Sequence, residues 1–190
     1  GPAVTEDSLL AGTVPFKRIY ADTDFSAKTM LKFVTWNVAG LRAQGRADEI
    51  LKFVTEEKPD VLCLQETKLS DIADSAKLVN LAGYTFTDNI STGKKGYSGT
   101  RTYIRDGVKV DSTSTGFGDG KDEEGRILTS TVDGMHIVNS YVPNSGMKLD
   151  RLEYRVEDFD AKMRAYIQKL QSTAPVVWTG DLNVAERDYD

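Results

Sequence analysis

Four segments of this 190-residue chain place polar side chains at the end of an apolar, strand-like run. The polar residues that close these runs are Asn37, Glu66, Tyr141 with Asn144, and Asp181 with Asn183. Carboxylate, amide and phenol oxygens are the ligands that hard divalent cations such as Mg²⁺ select. A cation that keeps some of its waters can activate one of them for attack on phosphorus. The pattern therefore predicts metal-assisted chemistry on a phosphate, provided that the fold brings these ends together.

The first two runs flank a predicted helix. LKFVTW, residues 31–36, is typical of a strand with apolar side chains on both faces. A helix is predicted from Arg46, and Pro59 ends it because proline cannot continue a helix. Its apolar positions are Ile50, Leu51, Phe53 and Val54. VLCLQE then predicts a second buried strand, and strand, helix and strand in this order predict a parallel crossover. Asn37 and Glu66 would emerge on one sheet edge, where open α/β sheets bind ligands.

Shorter strands dominate the middle of the chain, and we expect them to be antiparallel. They are YTFTDN, GTRTYIR, VKVDST, RILTSTV and MHIVNSYV. Asp133-Gly134 predicts a tight hairpin, since this pair accepts positive φ angles. A long helix is predicted from Asp150, which would cap it together with Glu153. Its apolar stripe is Leu152, Val156, Phe159, Met163, Ile167 and Leu170. PVVWTG is the last predicted strand.

Composition sets wider limits on the class of protein. A content of 39% hydrophobic and 28% charged residues predicts one globular domain over 31–190, after an N-terminal extension over 1–30. Gly1-Pro2 is typical of a tag remnant. The net charge of −5 is not the basic footprint of most nucleic-acid binders, although an acidic metal site would lower the balance. The single cysteine, Cys63, lies in an apolar run and favours an intracellular location. No apolar run is long enough to predict a membrane span.

Seven collinear motifs resemble one family of enzymes. They are TWNVAGLRA, DVLCLQETK, KGYSG, EGR, YVPNSG, RLEYR and GDLNVA. In this order they resemble the endonuclease/exonuclease/phosphatase superfamily and, within it, the exonuclease III-type apurinic/apyrimidinic endonucleases of base-excision repair. The resemblance implies an α/β fold, a four-layer α/β sandwich like that of DNase I, with two mixed β-sheets flanked by helices. It also implies that the chain covers about the first two thirds of the family domain.

The resemblance carries roles over to matching residues. Glu66 and Asn37 would hold Mg²⁺, for which Mn²⁺ could substitute, and the catalytic residues would be Tyr141, Asp181 and Asn183. DNA or phosphate contacts would come from Asn144, Tyr97, Arg126 and Arg151. The implied reaction is Mg²⁺-dependent hydrolysis of double-stranded DNA on the 5′ side of an abasic site, by a monomer that does not bind membranes. One departure stands at Ala39, where many relatives have an acidic residue.

Simpler structural interpretations stay open for the same residues. Asn37 would suit an Asx turn, and Asp-Leu-Asn a capped turn after a strand. Arg126 and Arg151 would suit structural salt bridges, and Trp36 and Trp178 would suit core packing. His136 is predicted to be structural, and Lys68, Lys94 and Lys95 are predicted to be solvated surface lysines.

Two other functions remain as alternatives. One is a catalytically silent DNA-binding or interaction module, because the closing part of the family domain has no match in this chain. The other is a superfamily phosphodiesterase that acts on a different substrate, such as a phosphoinositide or intact DNA.

Overall fold

The computed structural model describes residues 30–144 and 158–183. Three helices lie in these ranges: α1 (Arg46–Glu57), α2 (Ile72–Ser75) and α3 (Asp160–Gln171). The strands are β1 (Phe33–Asn37), β2 (Val61–Gln65), β3 (Tyr84–Asn89), β4 (Thr100–Arg105), β5 (Val110–Thr115), β6 (Ile127–Val132), β7 (Met135–Tyr141) and β8 (Val176–Asp181).

The first sheet has the strand order β1-β2-β4-β3. β1 and β2 are parallel, with Asn37 opposite Gln65, and α1 forms the crossover between them. This confirms the predicted parallel unit. β4 pairs antiparallel with both β2 and β3. The first sheet is therefore mixed, and the carboxyl ends of β1 and β2 emerge on the same edge.

The second sheet has the order β5-β6-β7-β8. β5, β6 and β7 pair antiparallel, as predicted, although β5 begins at Val110 rather than Val108. The predicted hairpin is confirmed, because Asp133 and Gly134 join β6 to β7 with φ angles of 48° and 73°. β8 runs parallel to β7, with Tyr141 opposite Asp181. Tyr141 and Asp181 thus leave the second sheet side by side.

The two sheets pack face to face, and a helix covers the outer face of each. Ile50 and Val54 of α1 pack against the outer side of the first sheet, whereas Met163 and Tyr166 of α3 pack against the second. The layer between the sheets is made of apolar side chains from both, including Val61, Cys63, Ile104, Val132 and Ile137. This order of helix, sheet, sheet and helix confirms the predicted four layers. Burial between the sheets raises the pKa of the Cys63 thiol to about 12.

One predicted core residue, Trp178, is exposed, and so is Leu51, one of the apolar positions of α1. Leu51 is 53% exposed, because α1 turns only the face of Ile50 and Val54 toward the sheet. Trp178 is 44% exposed, since β8 is an edge strand among the described residues. Trp36 does pack as predicted, edge-on to Phe53 with ring centroids 5.8 Å apart.

A buried ion pair that the sequence did not reveal anchors the α2 segment. The guanidinium of Arg101 donates two hydrogen bonds to Asp88, at 2.7 and 2.8 Å. It also donates to the backbone carbonyls of Ser75 and Leu78. The Arg101 side chain is fully buried, so these bonds offset the cost of removing its charge from water.

His136 has the structural role predicted for it. Its ring nitrogens lie 2.9 Å from the Thr131 hydroxyl and 2.8 Å from the Thr173 hydroxyl, so it ties the β6–β7 hairpin to the segment after α3. Only the part of the predicted long helix from Asp158 onward falls within the described residues; its start at Asp150 lies outside them. None of the described helices is both long and apolar enough to span a membrane.

Candidate active site

The four predicted strand ends do meet, and they meet across the two sheets. Asn37 and Glu66 come from β1 and the residue after β2, in the first sheet. Tyr141 and Asp181 are the last residues of β7 and β8, in the second sheet. The site is therefore built at one end of the sandwich, with half of its polar groups on each sheet.

The Asn37 amide joins the two halves. Its nitrogen donates hydrogen bonds to Glu66 Oε1 at 2.9 Å and to Asp181 Oδ2 at 2.8 Å. Its oxygen accepts the Ala39 N–H at 3.0 Å, which is the Asx turn expected as the simpler interpretation. Two carboxylates are thus held near each other by one amide that offers a proton to each.

Glu66 lies just past β2 in the left-handed region, with a φ angle of 53°. Partial burial alone would raise the pKa of its carboxyl group. Hydrogen bonds from Asn37, Tyr141 and Lys68, together with the Lys68 charge, outweigh burial and hold the pKa of Glu66 below its ordinary value. Glu66 is therefore an anion at neutral pH, already surrounded by groups that favour its charge.

Tyr141 stays protonated in this setting. Burial raises the pKa of its phenol, and the hydrogen bond to Glu66 and the Glu66 charge raise it further. The Arg126 guanidinium, 4.9 Å from the centre of the Tyr141 ring, acts in the opposite direction without reversing the shift. The hydroxyl is consequently a hydrogen-bond donor at neutral pH.

Arg126 organises two tyrosines from a buried position. It is 2% exposed and directly precedes β6. Its Nη2 donates to the Tyr97 hydroxyl at 2.8 Å and its Nη1 to the Tyr141 carbonyl at 3.0 Å, while Nε pairs with Glu124. This contact set supports the alternative in which Arg126 organises the site through an internal ion pair. Tyr97 is thereby tied to the same end of the sandwich as Tyr141.

The Asp-Leu-Asn segment ends β8 in a turn. Asn183 has a φ angle of 48°, and its N–H donates to Asp181 Oδ1 at 3.1 Å. The structure therefore has the capped turn given as the simpler interpretation of this segment, because the strand stops at Asp181. The turn still keeps Asn183 nearby, since its amide nitrogen donates to the Val142 carbonyl at 2.7 Å. The Asn144 amide lies 3.5 Å from Asn183 Oδ1, so both amides stand at the same edge.

Gly180 allows this edge to form. Its φ angle is 131°, and a Cβ atom there would lie 1.9 Å from the Ser140 carbonyl oxygen. Only glycine permits so close an approach of β8 to β7. The approach places Asp181 directly beside Tyr141.

The structure places eight of the nine predicted site residues at this end of the sandwich, and each of the eight contacts at least one other. Arg151 lies outside the described residues, so its role stays a prediction. Lys68 was predicted to be a solvated surface lysine; its side chain is 42% exposed, but its Nζ lies 3.2 Å from Glu66 Oε2. The signal that could have found it is its position two residues after Glu66. Lys94 and Lys95 are exposed as predicted, with Lys94 Nζ 5.0 Å from the centre of the Tyr97 ring.

The donor set suits a hard cation that keeps most of its waters. Mg²⁺ is commonly bound through one or two carboxylates with water completing the shell. Glu66 and Asp181 supply two carboxylates on either side of Asn37, and no cluster of three or more His, Cys, Asp or Glu occurs within the described ranges. A cation on Glu66 would replace the partly exposed Lys68 ammonium. A contact from Asn37 would need its amide oxygen, which here accepts the Ala39 N–H.

The structure is a two-sheet α/β sandwich with carboxylates, amides and a phenol at its strand ends. This is the architecture of the nuclease and phosphodiesterase class that the motifs resemble. The chain matches the Endonuclease/Exonuclease/phosphatase family over residues 34–190. This match covers most of the chain, and the chain belongs to this family.

Named relatives are nucleases. The chain is 38% identical over 165 residues to a DNA-(apurinic or apyrimidinic site) endonuclease of Dictyostelium discoideum, covering 86% of this chain and 44% of that protein. It is 36% identical over 163 residues to an exodeoxyribonuclease of Bacillus subtilis, covering 84% of this chain and 61% of that protein. The chain thus spans about half the length of the curated relatives it matches.

Solved structures agree on the fold. The crystal structure of an AP endonuclease from Leishmania major superposes with a TM-score of 0.76 at 43% identity, covering 98% of this chain and 65% of that one. An AP endonuclease from Archaeoglobus fulgidus gives a TM-score of 0.67 at 28% identity, covering 85% of this chain and 60% of that one. The DNase I-like sandwich predicted from the motifs is therefore confirmed.

Proposed function

We propose that this chain carries the catalytic centre of a Mg²⁺-dependent DNA phosphodiesterase that cuts the backbone on the 5′ side of abasic sites. The observation that carries the proposal is the Asn37 amide, which holds the Glu66 carboxylate of one sheet and the Asp181 carboxylate of the other at the same end of the sandwich. Supporting it are relatives named as apurinic/apyrimidinic endonucleases. An intracellular location and a monomeric state belong to the same proposal.

Glu66 is the residue that would hold the cation, because its carboxylate is ionised and partly open to solvent. A bound Mg²⁺ would offset negative charge that develops on the phosphate and on the leaving 3′ oxygen. Mn²⁺, which also prefers oxygen ligands, would serve in its place.

Asp181 would align the attacking water and accept its proton. Its Oδ2 is held by Asn37 and its Oδ1 by the Asn183 N–H, so the carboxylate has a fixed orientation. Fixed orientation lowers the entropy cost of reaching the attacking geometry. A water bound to this carboxylate would lie at the same end of the sandwich as Glu66.

Neutral donors would bind the phosphate oxygens. The protonated Tyr141 hydroxyl and the amides of Asn144 and Asn183 line the same edge and carry no negative charge of their own. Such donors stabilise a transition state most when they are already in place. Tyr97, held by Arg126, would contact the DNA backbone beside them.

An incision assay tests the proposal directly. The substrates are two matched duplexes, one with an abasic analogue and one intact, each incubated with the chain in Mg²⁺ or in EDTA. We expect cutting only 5′ to the analogue and only with Mg²⁺. Glu66→Gln should weaken the Mg²⁺ dependence, and Asp181→Asn should abolish turnover while DNA binding is retained. Asp106→Asn, an exposed carboxylate at the opposite end of β4, is the matched control and should cut at the wild-type rate.

Two results would replace the proposal with its alternatives. Equal cutting of intact and abasic duplexes would favour a phosphodiesterase of another specificity. DNA binding without any metal-dependent cutting would favour the silent binding module. This alternative is kept because the chain spans about half the length of its relatives.

A further inference from the structure

Two buried amide side chains connect the sheets just beneath the active-site residues. Gln65 is the last residue of β2 and is 1% exposed; Asn139 lies in β7 and is fully buried. The Gln65 side-chain nitrogen donates to Asn139 Oδ1 at 2.8 Å. The Asn139 nitrogen in turn lies 3.0 Å from the Arg101 carbonyl and 3.2 Å from the Leu64 carbonyl, both in the first sheet. We call the Gln65 and Asn139 pair the amide bridge.

The amide bridge also reaches the strand that carries Asn37. The Gln65 nitrogen lies 3.0 Å from the Thr35 hydroxyl of β1. Three residues of this network therefore lie one or two positions before a site residue in the sequence. Gln65 precedes Glu66, Thr35 is two residues before Asn37, and Asn139 is two residues before Tyr141.

Other directional contacts between the sheets are made by β3 and β4: the Asn89 side-chain nitrogen donates to the Ile127 carbonyl at 2.8 Å, and the Thr100 hydroxyl donates to the Gly125 carbonyl at 3.1 Å. The rest of the layer that we described is apolar, with side chains such as Val61, Ile104 and Ile137. Apolar burial favours contact without fixing one orientation. A hydrogen bond, by contrast, weakens steeply when its distance or angle departs from the optimum. Among these contacts, the amide bridge is made by the strands that lead into Asn37, Glu66 and Tyr141, so it is placed to fix the two halves of the site against each other.

We propose that Gln65 and Asn139 are positioning residues that hold the Asn37 and Glu66 half of the site in register with the Tyr141 and Asp181 half. This inference rests on the proposed function for its kinetic consequence only. The Asn37–Asp181 hydrogen bond crosses between the sheets, so it responds to any shift between them. A purely structural pair would add stability and leave that hydrogen bond unchanged when it is replaced.

The test removes the amide bridge while keeping its volume. Replacing both amides removes the hydrogen bond between them, but the Leu64 and Arg101 carbonyls and the Thr35 hydroxyl lose a donor, so some stability should be lost. The double variant Gln65→Leu/Asn139→Leu is therefore compared with the wild-type chain in two measurements. One is the ¹⁵N–¹H spectrum of the Asn37 side-chain amide, assigned by its loss in Asn37→Ala. The other is steady-state incision of the abasic duplex.

We expect the double variant to melt at a lower temperature than the wild-type chain but to stay folded at the assay temperature, while the Asn37 amide signals move toward those of a free amide. We expect kcat to fall about ten to a hundredfold with KM within about twofold, because misplaced groups cost turnover more than substrate binding. Ser130→Ala is the matched control. Its hydroxyl is fully buried between the sheets and has no hydrogen-bond partner among the described residues, so both measurements should stay at wild-type values.

Thr35→Val provides a second, independent test if the double variant does not fold. It removes only the β1 contact, at an exposed position, and should move the Asn37 amide signals part of the way. Unchanged Asn37 signals in every folded variant that lacks part of the bridge would overturn the proposal. If the wild-type chain cuts no DNA, the proposed function fails, but the Asn37 spectrum still decides whether the amide bridge positions the site.

Discussion

The Asn37 side chain donates a 2.8 Å hydrogen bond to Asp181, which lies 144 residues further along the chain and in the other sheet. The same nitrogen serves Glu66, so one amide supports both carboxylates. The two sheets thus share a polar contact at the site itself, in addition to the apolar layer between them.

Asn37→Ala should lower the free energy of unfolding by about 1 to 2 kcal/mol, since bonds to charged groups exceed ordinary ones but this site is partly open to water. Urea denaturation at pH 7 without divalent cations measures the loss. Asn80→Ala is the control, because Asn80 is exposed and, within the described ranges, its side chain donates to the nearby Ala76 carbonyl. It should change stability by less than about 0.5 kcal/mol. Equal effects of the two variants would contradict the bridging role of Asn37.

Gly180→Ala should destabilise the chain by about 3 kcal/mol, from a steric clash added to left-handed strain. The clash is with the Ser140 carbonyl oxygen, which a Cβ atom would approach to 1.9 Å. Gly134→Ala is the matched control, because Gly134 also has a positive φ of 73° but no atom within 4 Å of an added Cβ. Its cost should be about 1 kcal/mol. Thermal denaturation of both variants checks the difference, and a Gly180 variant no worse than the Gly134 variant would rule out the close approach.

Much of the architecture could be predicted from local patterns. The apolar runs ending at Asn37 and Glu66, with a helix between them, required a parallel pair whose ends coincide. Asp133-Gly134 identified its hairpin because few residue pairs accept two positive φ angles. Convergence of the site followed from these rules together with the motifs.

What could not be predicted depends on neighbours distant in sequence. The exposure of Leu51 and Trp178 depends on which surfaces α1 and β8 turn toward the sheets, and residue type does not specify that. The contact of Lys68 with Glu66 arises where both residues have left-handed backbone, with φ angles of 53°. The spacing of apolar residues in the sequence does not predict such local turns.

Arg126→Lys should cost about 2 kcal/mol, because a lysine keeps the charge but cannot serve Tyr97, Tyr141 and Glu124 at once. Arg105→Lys provides the matched control, since the Arg105 side chain is 47% exposed where it pairs with Asp60. Asp60 is buried, but the Arg105 end of the pair is largely solvated and lysine keeps the charge, so this change should cost about 0.5 kcal/mol. Guanidinium denaturation of the two variants measures both. Similar costs would mean that the buried contacts of Arg126 add nothing to the fold.

Glu66 predicts a pH dependence with a definite sign. Its pKa is lower in the folded chain than in the unfolded chain, so the unfolded chain binds protons more readily as the pH falls. The stability that Glu66 contributes is therefore present at neutral pH and is lost on acidification through its folded pKa. Melting temperatures between pH 7 and pH 3, without divalent cations, should fall more steeply for the wild-type chain than for Glu66→Gln. Parallel curves would show that the ionised carboxylate is not favoured by its neighbours.

The half-exposed indole of Trp178, three residues before Asp181, provides a fluorescence signal from the edge strand β8. Trp36 is the other indole of the chain and lies against Phe53, one residue before Asn37. A collisional quencher such as acrylamide should therefore extinguish mainly the emission from the β8 side. The two indoles lie on the outer, helix-covered faces of different sheets, so their separate responses would report which side of the sandwich a bound oligonucleotide shields, with no label added.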